Sequence, residues 1–455
     1  MSNTKEYISK HLQQILEELF SLIRIPSVSA HPHRQPEILQ CAERWRQLLL
    51  KAGVDKAEVL ATKGNPVVFA TKFIDKSLPT IMVYGHYDVM PAEPLELWDS
   101  KPFDPEIREG KIYGRGADDD KGQSFMHAKA FEYLINTNQL QCNVKFLLEG
   151  EEEIGSPSLE DFCKKNKKLL QCDTILVSDT SMLAADTPSI TTGLRGLAYW
   201  QIELTSANRD LHSGIFGGAI ANPINELAKI LGGLTDKNGK ITIPRFYDDV
   251  EKISKKEKEL INQIPFDEKS YKKDLSIERL YGEKGFSTIE RTGTRPSLDI
   301  CGIWGGYTGE GSKTVLPSKA YAKLSVRLVP HQKYEKIAKQ VEKYLYKITP
   351  QHVDIKVITL HGAESYVCPI ESKEYRAAER AYEKIFGKKP LPVRRGGSIG
   401  VVPIFEKVLN VKPILMGFGL ESDAIHSPNE NFPLELFEKG IETIVEFYKG
   451  YTVQE

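Results

Sequence analysis

Four short apolar runs, each followed by a side chain that can bind a metal, constrain the fold of this chain more than any other feature. The runs are Ile81–Tyr84 before His86, Val144–Leu148 before Glu151–Glu153, Thr174–Val177 before Asp179, and Pro413–Met416 before His426. Apolar runs of this length predict buried strands. In an open α/β sheet the carboxyl ends of the strands share one edge, so we expect these histidines and acids to meet in one crevice. The sequence therefore predicts a metal site assembled from distant parts of the chain.

Length and sequence pattern indicate two domains. At 455 residues the chain exceeds the usual size of a single hydrophobic core. Residues 1–193 and 364–455 alternate helical patterns with apolar runs, which is typical of βαβ units around a largely parallel sheet. Between them, Ala198–Leu204 and Ala320–Leu328 show the alternation of half-buried strands. We therefore predict an α/β fold with a mostly parallel twisted sheet flanked by helices, into which residues 194–363 are inserted as an α+β domain.

Several segments of the chain carry individual predictions. Helices are predicted where apolar residues recur at helical spacing, at Glu37–Ala52, Gly122–Thr137, Glu374–Phe386 and Pro433–Tyr448. The charged stretch Asp236–Arg295 is predicted to form solvated helices. The glycine-rich segment Gly302–Gly311 lacks the context of a nucleotide site, so it is predicted to be a loop.

Charge and cysteine content restrict the partners and the compartment. The 61 Lys and Arg residues balance the 62 Asp and Glu residues, which leaves no overall field to attract nucleic acid or an anionic membrane. A small molecule is therefore the expected partner. The six cysteines contain no CxxC pair, so they are expected to be reduced thiols. With no signal-peptide pattern and no apolar run long enough to cross a membrane, we expect a soluble cytoplasmic protein.

A turn rich in glycine and carboxylate, Tyr113–Gly122, precedes a predicted helix. Its acids Asp118–Asp120 could be ordinary N-caps, but three in succession beside Lys121 are hard to explain as caps alone. One carboxylate can bridge two cations with its two oxygens, as in binuclear hydrolases. At the end of the first strand, Asp88 could accept the second ring N–H of His86 and fix its tautomer. Each of these residues, taken alone, is more readily explained as structural.

The acids Glu151, Glu152 and Glu153 have two interpretations. A run of acids is usually a solvated face, but this run lies at the carboxyl end of a predicted strand. There, neighbouring carboxylates can divide the chemistry, one binding a metal and another staying free as a base. Asp179 and His426 would complete the set.

The order of these motifs along the chain resembles that of the M20 family of binuclear zinc metallopeptidases. The matching motifs are His86-Tyr87-Asp88, Tyr113–Gly122, Glu149–Ser156, Ser178-Asp179 and Ala424–Ser427. The resemblance covers nearly the whole chain, including the inserted domain. Within the family it points to the dipeptidase branch that contains carnosinase, through Trp98–Phe103, Arg195-Gly196, Asp210–Gly214 and Arg395–Ile399.

The resemblance implies a set of metal ligands. His86 and Asp179 would bind one metal, Glu153 and His426 would bind the other, and Asp119 would bridge both. One imidazole per metal with carboxylates around it suits two Zn²⁺ ions, and Mn²⁺ or Co²⁺ remain possible.

The resemblance also implies the catalytic groups. Glu152 would be the base, and Asp88 would be the aspartate that orients His86. The additional acid Glu151 leaves the register of the three glutamates open by one residue. The implied reaction is hydrolysis of the peptide bond of dipeptides or short peptides, by a water held between the metals and activated by Glu152.

Domain roles and substrate contacts follow from the same resemblance. Residues 1–193 and 364–455 would form the catalytic binuclear-metal domain, and residues 194–363 a lid that also joins a homodimer. His212 resembles the family's lid histidine, which reaches into the partner's active site and stabilises the oxyanion. Arg327 could bind the substrate carboxylate through its planar guanidinium, and Arg394 and Arg395 are a competing clamp. Thr314 and Ser398 resemble other substrate contacts of the dipeptidases.

Two other classes of function remain to be compared. A deacylase of N-acyl amino acids or acyl-diamino acids on the same scaffold would keep every metal ligand. A catalytically dead binding protein would have lost the base or a ligand, yet each matched position holds a competent side chain. The long lid, Asp210–Gly214 and Arg395–Ile399 favour the dipeptidase.

Overall fold

The computed structural model describes residues 3–397 and 399–452. The chain divides into two compact units, the first containing residues 1–192, 368–393 and 400–455 and the second containing residues 193–367 and 394–399. The predicted boundaries lie close to two of these junctions, while the short segment 394–399 groups with the second unit instead of the first. The catalytic and lid roles of the two ranges stay a prediction.

The helices and strands follow one another along the chain as α/β units, then as an antiparallel insert, then as α/β units again. The α-helices are α1 (Asn3–Ile23), α2 (Gln35–Ala52), α3 (Lys121–Asn136), α4 (Leu159–Lys165), α5 (Ser213–Phe216), α6 (Pro223–Gly232), α7 (Lys255–Ile261), α8 (Glu268–Asp274), α9 (Thr288–Gly293), α10 (Tyr334–Ile348), α11 (Lys373–Phe386), α12 (Val401–Leu409) and α13 (Leu434–Thr452). The strands are β1 (Lys56–Leu60), β2 (Val67–Lys72), β3 (Thr80–His86), β4 (Glu106–Arg108), β5 (Lys111–Tyr113), β6 (Asn143–Glu149), β7 (Thr174–Val177), β8 (Ser189–Leu194), β9 (Gly196–Thr205), β10 (Leu211–His212), β11 (Ser297–Gly305), β12 (Val315–Leu316), β13 (Lys319–Leu328), β14 (Asp354–Ala363), β15 (Tyr366–Val367), β16 (Leu391–Arg395), β17 (Pro413–Leu415) and β18 (Asn431–Pro433). Short 3₁₀ turns lie at Pro32–Arg34, Leu95–Leu97 and Glu152–Ile154.

Apolar periodicity and turn residues explain most helices of the first unit, and α3 is the exception. The four predicted helices are confirmed as α2, α3, α11 and α13, with small differences at their ends. Helix α2 stops at Gly53, whose φ of 103° is the left-handed conformation that suits a glycine C-cap. Helix α3 is buried along nearly its whole length, so it lies in the interior of the unit.

A mixed sheet forms the centre of the first unit, with its strands in the order β1-β2-β6-β3-β7-β17-β8. The four neighbours β6, β3, β7 and β17 are parallel, while β1, β2 and β8 pair antiparallel outside them. These four central strands are the four runs that the sequence singled out. Their register places His86 opposite Glu149, and Tyr84 and Leu415 opposite Val177. The carboxyl ends therefore lie at one edge of the sheet, as predicted.

The second unit is built on an antiparallel sheet with the strand order β11-β13-β9-β14. Strand β9 alternates strictly between buried and half-buried residues, so one face is apolar, as the sequence predicts. Trp200 and Leu324 from this face share a core with Leu227 of α6 and with Val341 and Leu345 of α10. The two helices thus cover one face of the sheet.

Two further segment predictions have different outcomes. The charged stretch Asp236–Arg295 is largely exposed, as expected, but only part of it is helical, as the short helices α7, α8 and α9, and the rest is turns and irregular backbone. The loop predicted for Gly302–Gly311 is wrong for its first four residues, because β11 continues to Gly305 and pairs with β13. Within the described residues, all six cysteines are free of disulfides, and no helix is long and apolar enough to cross a bilayer.

Candidate metal centre

Gly85 allows strand β3 to pass close to helix α3 before it delivers His86. A Cβ at Gly85 would lie 1.7 Å from Oγ of Ser124 and 2.7 Å from Oδ2 of Asp120. The same Asp120 oxygen accepts a hydrogen bond from the amide of His86 at 3.0 Å. The end of the strand is therefore fixed against the start of the helix.

The ring of His86 is oriented by main-chain and side-chain atoms of Asp88. Its Nδ1 lies 3.0 Å from the carbonyl oxygen of Asp88 and 3.5 Å from Oδ1. Donation from Nδ1 to that carbonyl leaves Nε2 with its lone pair, the state a metal ligand needs. The Asp88 carboxylate meanwhile accepts the amides of Glu152 at 3.2 Å and Glu153 at 3.1 Å. Asp88 thus joins the loop of the glutamates to His86. The sequence indicated the contact of Asp88 with His86 but not its contacts with the amides of Glu152 and Glu153.

Asp119 lies between two groups of possible metal ligands. Its Oδ1 is 3.0 Å from Nε2 of His86, and its Oδ2 is 2.9 Å from Nε2 of His426. The first group is His86, Asp119 and Asp179, and the second is Asp119, Glu153 and His426. Within each group the ligand atoms lie within 4.8 Å of one another. The structure thus brings together all five residues for which the resemblance implied a metal.

The three successive glutamates point to different surroundings. Glu151 is buried outside both groups, where its two oxygens accept the amides of Asn65 at 3.0 Å and Ser158 at 3.2 Å. Glu153 belongs to the second group, with Oε2 3.1 Å from Nε2 of His426. Glu152 belongs to neither group. The charges of His86 and Asp179 in the first group nevertheless act on the pKa of its carboxyl.

Burial and hydrogen bonds shift the titration of these groups in opposite directions. Burial raises the pKa of Glu152 well above its ordinary value and the pKa of Asp179 to about 7. Burial alone would also raise the pKa of Asp119, but hydrogen bonds with His426 and His86 hold it below its ordinary value. Hydrogen bonds with Asp119 and Glu153 raise the pKa of His426 to about 10.

The donor set fits divalent cations. Four acidic side chains surround two imidazoles, so the carboxylates exceed the groups that can offset their charge. Uncompensated carboxylates in a desolvated site are costly, and cations offset that cost. One imidazole with two carboxylates per group is a set that zinc and other divalent transition metals accept.

The predicted substrate contacts belong to the second unit, whereas both ligand groups belong to the first. His212 ends β10 and accepts the amide of Gly214 on Nδ1 at 3.0 Å, so a neutral ring carries its proton on Nε2. The amide of the next residue, Ser213, donates to the carbonyl of Thr314 at 3.1 Å. The two predicted substrate contacts His212 and Thr314 are therefore close together.

The two candidate clamps differ in their surroundings. Arg327 is half-buried on β13, opposite Ser297 of β11. Arg394 makes a two-point ion pair with Glu257 at 2.6 and 2.9 Å, so this half of the competing clamp is already occupied. Ser398 lies outside the described residues.

Two neighbours of the centre were missed by the sequence analysis. Asp120 anchors the amide of His86, although the sequence offered it only as one of three equivalent acids. Glu149, the last residue of β6, accepts the hydroxyls of Tyr84 at 2.6 Å and Ser156 at 2.9 Å. Burial raises the pKa of Glu149 to about 8. The sequence signal that could have identified Glu149 is its position as an acid at the end of an apolar strand.

Comparison with known proteins finds a matching peptidase family, similar dipeptidases and a similar peptidase structure. The model of Peptidase family M20/M25/M40 matches residues 82–450. A Beta-Ala-His dipeptidase of Rattus norvegicus is 30% identical over 97% of this chain and 94% of its own length. The Cys-Gly metallodipeptidase DUG1 of Candida albicans is 32% identical over 95% of this chain and 93% of its own. The crystal structure of an M20 family metallo-carboxypeptidase from Sulfolobus solfataricus superposes with a TM-score of 0.83, with 34% identity over 96% of this chain and 99% of that one.

The family match, the full-length relatives and the paired ligand groups agree with one another. This chain belongs to peptidase family M20.

Proposed function

We propose that this protein is a metal-dependent dipeptidase that hydrolyses the peptide bond of dipeptides or short peptides. The observation that carries the proposal is the position of Asp119, whose two oxygens face the histidines of two separate ligand groups. A carboxylate shared in this way could hold two cations close together, which is the arrangement of a binuclear hydrolase. The relatives named for Beta-Ala-His and Cys-Gly hydrolysis, which match nearly the whole chain, support the choice of dipeptides.

The proposed cofactor is a pair of Zn²⁺ ions, with Mn²⁺ or Co²⁺ as alternatives. His86 and Asp179 would hold one ion, Glu153 and His426 the other, and Asp119 both. Elemental analysis of the protein purified without chelator tests this, with about two equivalents of one metal per chain expected.

The chain's own residues divide the remaining chemistry. Cations held at the centre would polarise a substrate carbonyl and lower the pKa of a water molecule. Glu152 takes the proton from the attacking water and delivers it to the leaving amine. Asp88 keeps the amide of Glu152 in place. Across the proposed homodimer, His212 offers its Nε2–H to the negative charge that develops on oxygen in the active site of the other copy.

Substrate recognition is assigned to the second unit. Arg327 would bind the terminal carboxylate through its planar guanidinium, with Thr314 and Ser398 as neighbouring contacts. The ion pair between Arg394 and Glu257 supports Arg327 over Arg394 in this role. Replacement of Arg327 by Met should raise KM for free dipeptides more than it lowers kcat.

A carboxypeptidase is the second candidate, because the Sulfolobus solfataricus protein named as one is 34% identical to this chain. A deacylase of the same scaffold is the third. Incubation with Ala-Ala, Cys-Gly, β-Ala-His, an N-blocked dipeptide and N-acetylornithine separates the three. We expect cleavage of the free dipeptides; preference for the blocked dipeptide would favour the carboxypeptidase, and turnover of only N-acetylornithine would favour the deacylase.

We also propose a cytoplasmic homodimer joined through residues 194–363. Support for the dimer comes from edge strand β11, on which Ile300, Ile303 and Trp304 are exposed. Apolar groups on an unpaired edge are usually covered by a partner. Light scattering should give twice the mass of the 51.3 kDa chain, and Trp304→Lys should lower it. The absence of a disulfide among the described residues supports the cytoplasm, which fractionation of native cells would test.

A further inference from the structure

Glu430 is a fully buried acid whose carboxylate receives four donors from one loop. Its Oε2 accepts Nη1 of Arg115 at 2.7 Å and the amide of Gly116 at 3.0 Å. Its Oε1 accepts the amides of Asp118 and Asp119, both at 3.1 Å. A carboxylate has about four lone-pair sites, so these donors use its whole accepting capacity. Glu430 is therefore not available as a metal ligand.

Further contacts join the same two segments. The carbonyl of Glu430 accepts the amide of Gly114 at 3.0 Å, and Nη2 of Arg115 donates to the carbonyl of Ser427 at 3.2 Å. Strand β18, which begins directly after Glu430, pairs with β5, which ends directly before Gly114. The loop that carries Asp119 and the segment that carries His426 are thus held together across more than 300 residues of sequence.

We propose that Glu430 is a positioning residue that sets the Asp119 carboxylate between the two ligand groups. The donation from the amides of Asp118 and Asp119 to one oxygen fixes two successive peptide planes, and the second of them leads directly into the Cα that carries the Asp119 side chain. Because Glu430 lies four residues after His426, the same contact fixes the distance between Asp119 and His426. This inference rests on the proposed metal centre.

Stability alone does not explain the buried pair of Glu430 and Arg115. Desolvation usually cancels most of the attraction within a buried ion pair, and apolar residues of equal volume hold a fold as well or better. Apolar residues could not, however, accept the amides of Asp118 and Asp119. Arg115 also neutralises Glu430, so the acid adds no net charge beside the carboxylates of the centre.

Two substitutions separate geometry from charge. Glu430→Gln keeps the length of the side chain but replaces one acceptor oxygen by a donor, which opposes the loop amides. Glu430→Asp keeps the charge that Arg115 needs but withdraws both oxygens by about one methylene. Glu18→Gln is the matched control, because Glu18 is also a buried acid, paired with Lys51 and Lys129, and it contacts neither segment.

Two measurements on the full-length protein test the proposal. In the metal-free protein, hydrogen exchange followed by mass spectrometry should show faster exchange over residues 114–120 in both Glu430 variants. Titration with Zn²⁺ against a chromophoric chelator should show a loss of affinity of about 10- to 100-fold, the range for residues that orient metal ligands. The Glu18→Gln control should keep wild-type exchange over that segment and wild-type zinc affinity.

The outcomes are distinguishable. Wild-type zinc affinity in Glu430→Asp, or an equal loss in Glu18→Gln, would overturn the positioning role. If circular dichroism shows that Glu430→Gln is unfolded, Glu430→Asp decides alone, since it retains the charge pair. If the wild-type protein itself binds fewer than two zinc ions, it is the proposed metal centre that fails.

Discussion

Oδ2 of Asp119 lies 2.9 Å from Nε2 of His426, while the other oxygen of the same carboxylate is turned toward His86. Asp119→Asn should therefore damage both ligand groups at once. Loss of the shared charge removes several kcal/mol of stabilisation, so we expect kcat/KM for Ala-Ala to fall by about 10³-fold. Zinc stoichiometry should fall below two. Asp186→Asn, at an exposed ion pair with Lys388, is the control and should leave both values unchanged.

The three glutamates should give three different phenotypes when each is changed to Gln. Glu152→Gln should lower kcat by about 10²- to 10⁴-fold with both metals retained, because only the proton carrier is lost. Glu153→Gln should weaken zinc binding at the His426 group. Glu151→Gln should lower the midpoint of urea unfolding with kcat little changed, since Glu151 holds the amides of Asn65 and Ser158. If Glu151→Gln, and not Glu152→Gln, lowered kcat with both metals retained, the base would be Glu151 and the assignment of the three glutamates would shift by one residue.

The sequence was sufficient to predict the four central strands and the side chains at their ends. A short apolar run and the polar residue that follows it can be recognised from a few consecutive residues. The helical patterns between the runs then predict that the strands are parallel. Strands β6, β3, β7 and β17 and the meeting of their carboxyl ends at one edge could therefore be anticipated, whereas the order of the strands was not predicted.

Contacts between distant loops could not be predicted in the same way. The orientation of Glu151 depends on the 3₁₀ turn at Glu152–Ile154, which breaks the alternation of the strand before it. The pairing of Arg115 with Glu430 joins residues 315 positions apart, and no periodicity encodes it. The carbonyl of Asp88 as a partner of His86 was missed because sequence patterns describe side chains and not main-chain atoms.

Gly85→Ala should destabilise the protein and disturb the centre. The added Cβ would lie 1.7 Å from Oγ of Ser124, so strand β3 or helix α3 must shift. Overpacking of this kind costs about 1–3 kcal/mol, measurable as a lower urea midpoint. Adding Ser124→Ala should recover part of the loss. Gly450→Ala, in α13, is the control and should be neutral or stabilising, because the added Cβ would have no atom within 4 Å apart from its chain neighbours and the backbone of its own helix.

His127 should make stability depend on pH. Its Nε2 donates to Oγ of Ser178 at 2.7 Å, and that hydroxyl donates to the carbonyl of Met416 at 2.7 Å. Burial lowers the pKa of His127 to about 3. Between its ordinary value near 6.5 and pH 3 only the unfolded chain binds the proton, so this contribution to stability is present above pH 6.5 and is lost as the pH falls.

His127→Gln removes that titration while keeping a donor for Ser178. The free energy of unfolding of the wild type, relative to the variant, should therefore fall by up to about 1.4 kcal/mol for each pH unit below pH 6. Urea unfolding of both proteins at pH 5, 6 and 7 measures this difference, because contributions from the unchanged metal ligands cancel. Parallel pH profiles would mean that folding does not lower the pKa of this ring.

Metal removal should reduce both activity and thermal stability. A ligand that binds only the folded state adds about 2.7 kcal/mol when its free concentration is 100 times its Kd, so dialysis against EDTA should lower the unfolding midpoint and added Zn²⁺ should restore it. Asp119→Asn should respond less to zinc than the wild type, since it weakens both groups. Glu152→Gln should respond as the wild type does, because Glu152 belongs to neither ligand group. A full zinc response in an inactive Glu152→Gln variant would separate metal binding from proton transfer, and a lost response would make Glu152 a ligand instead of the base.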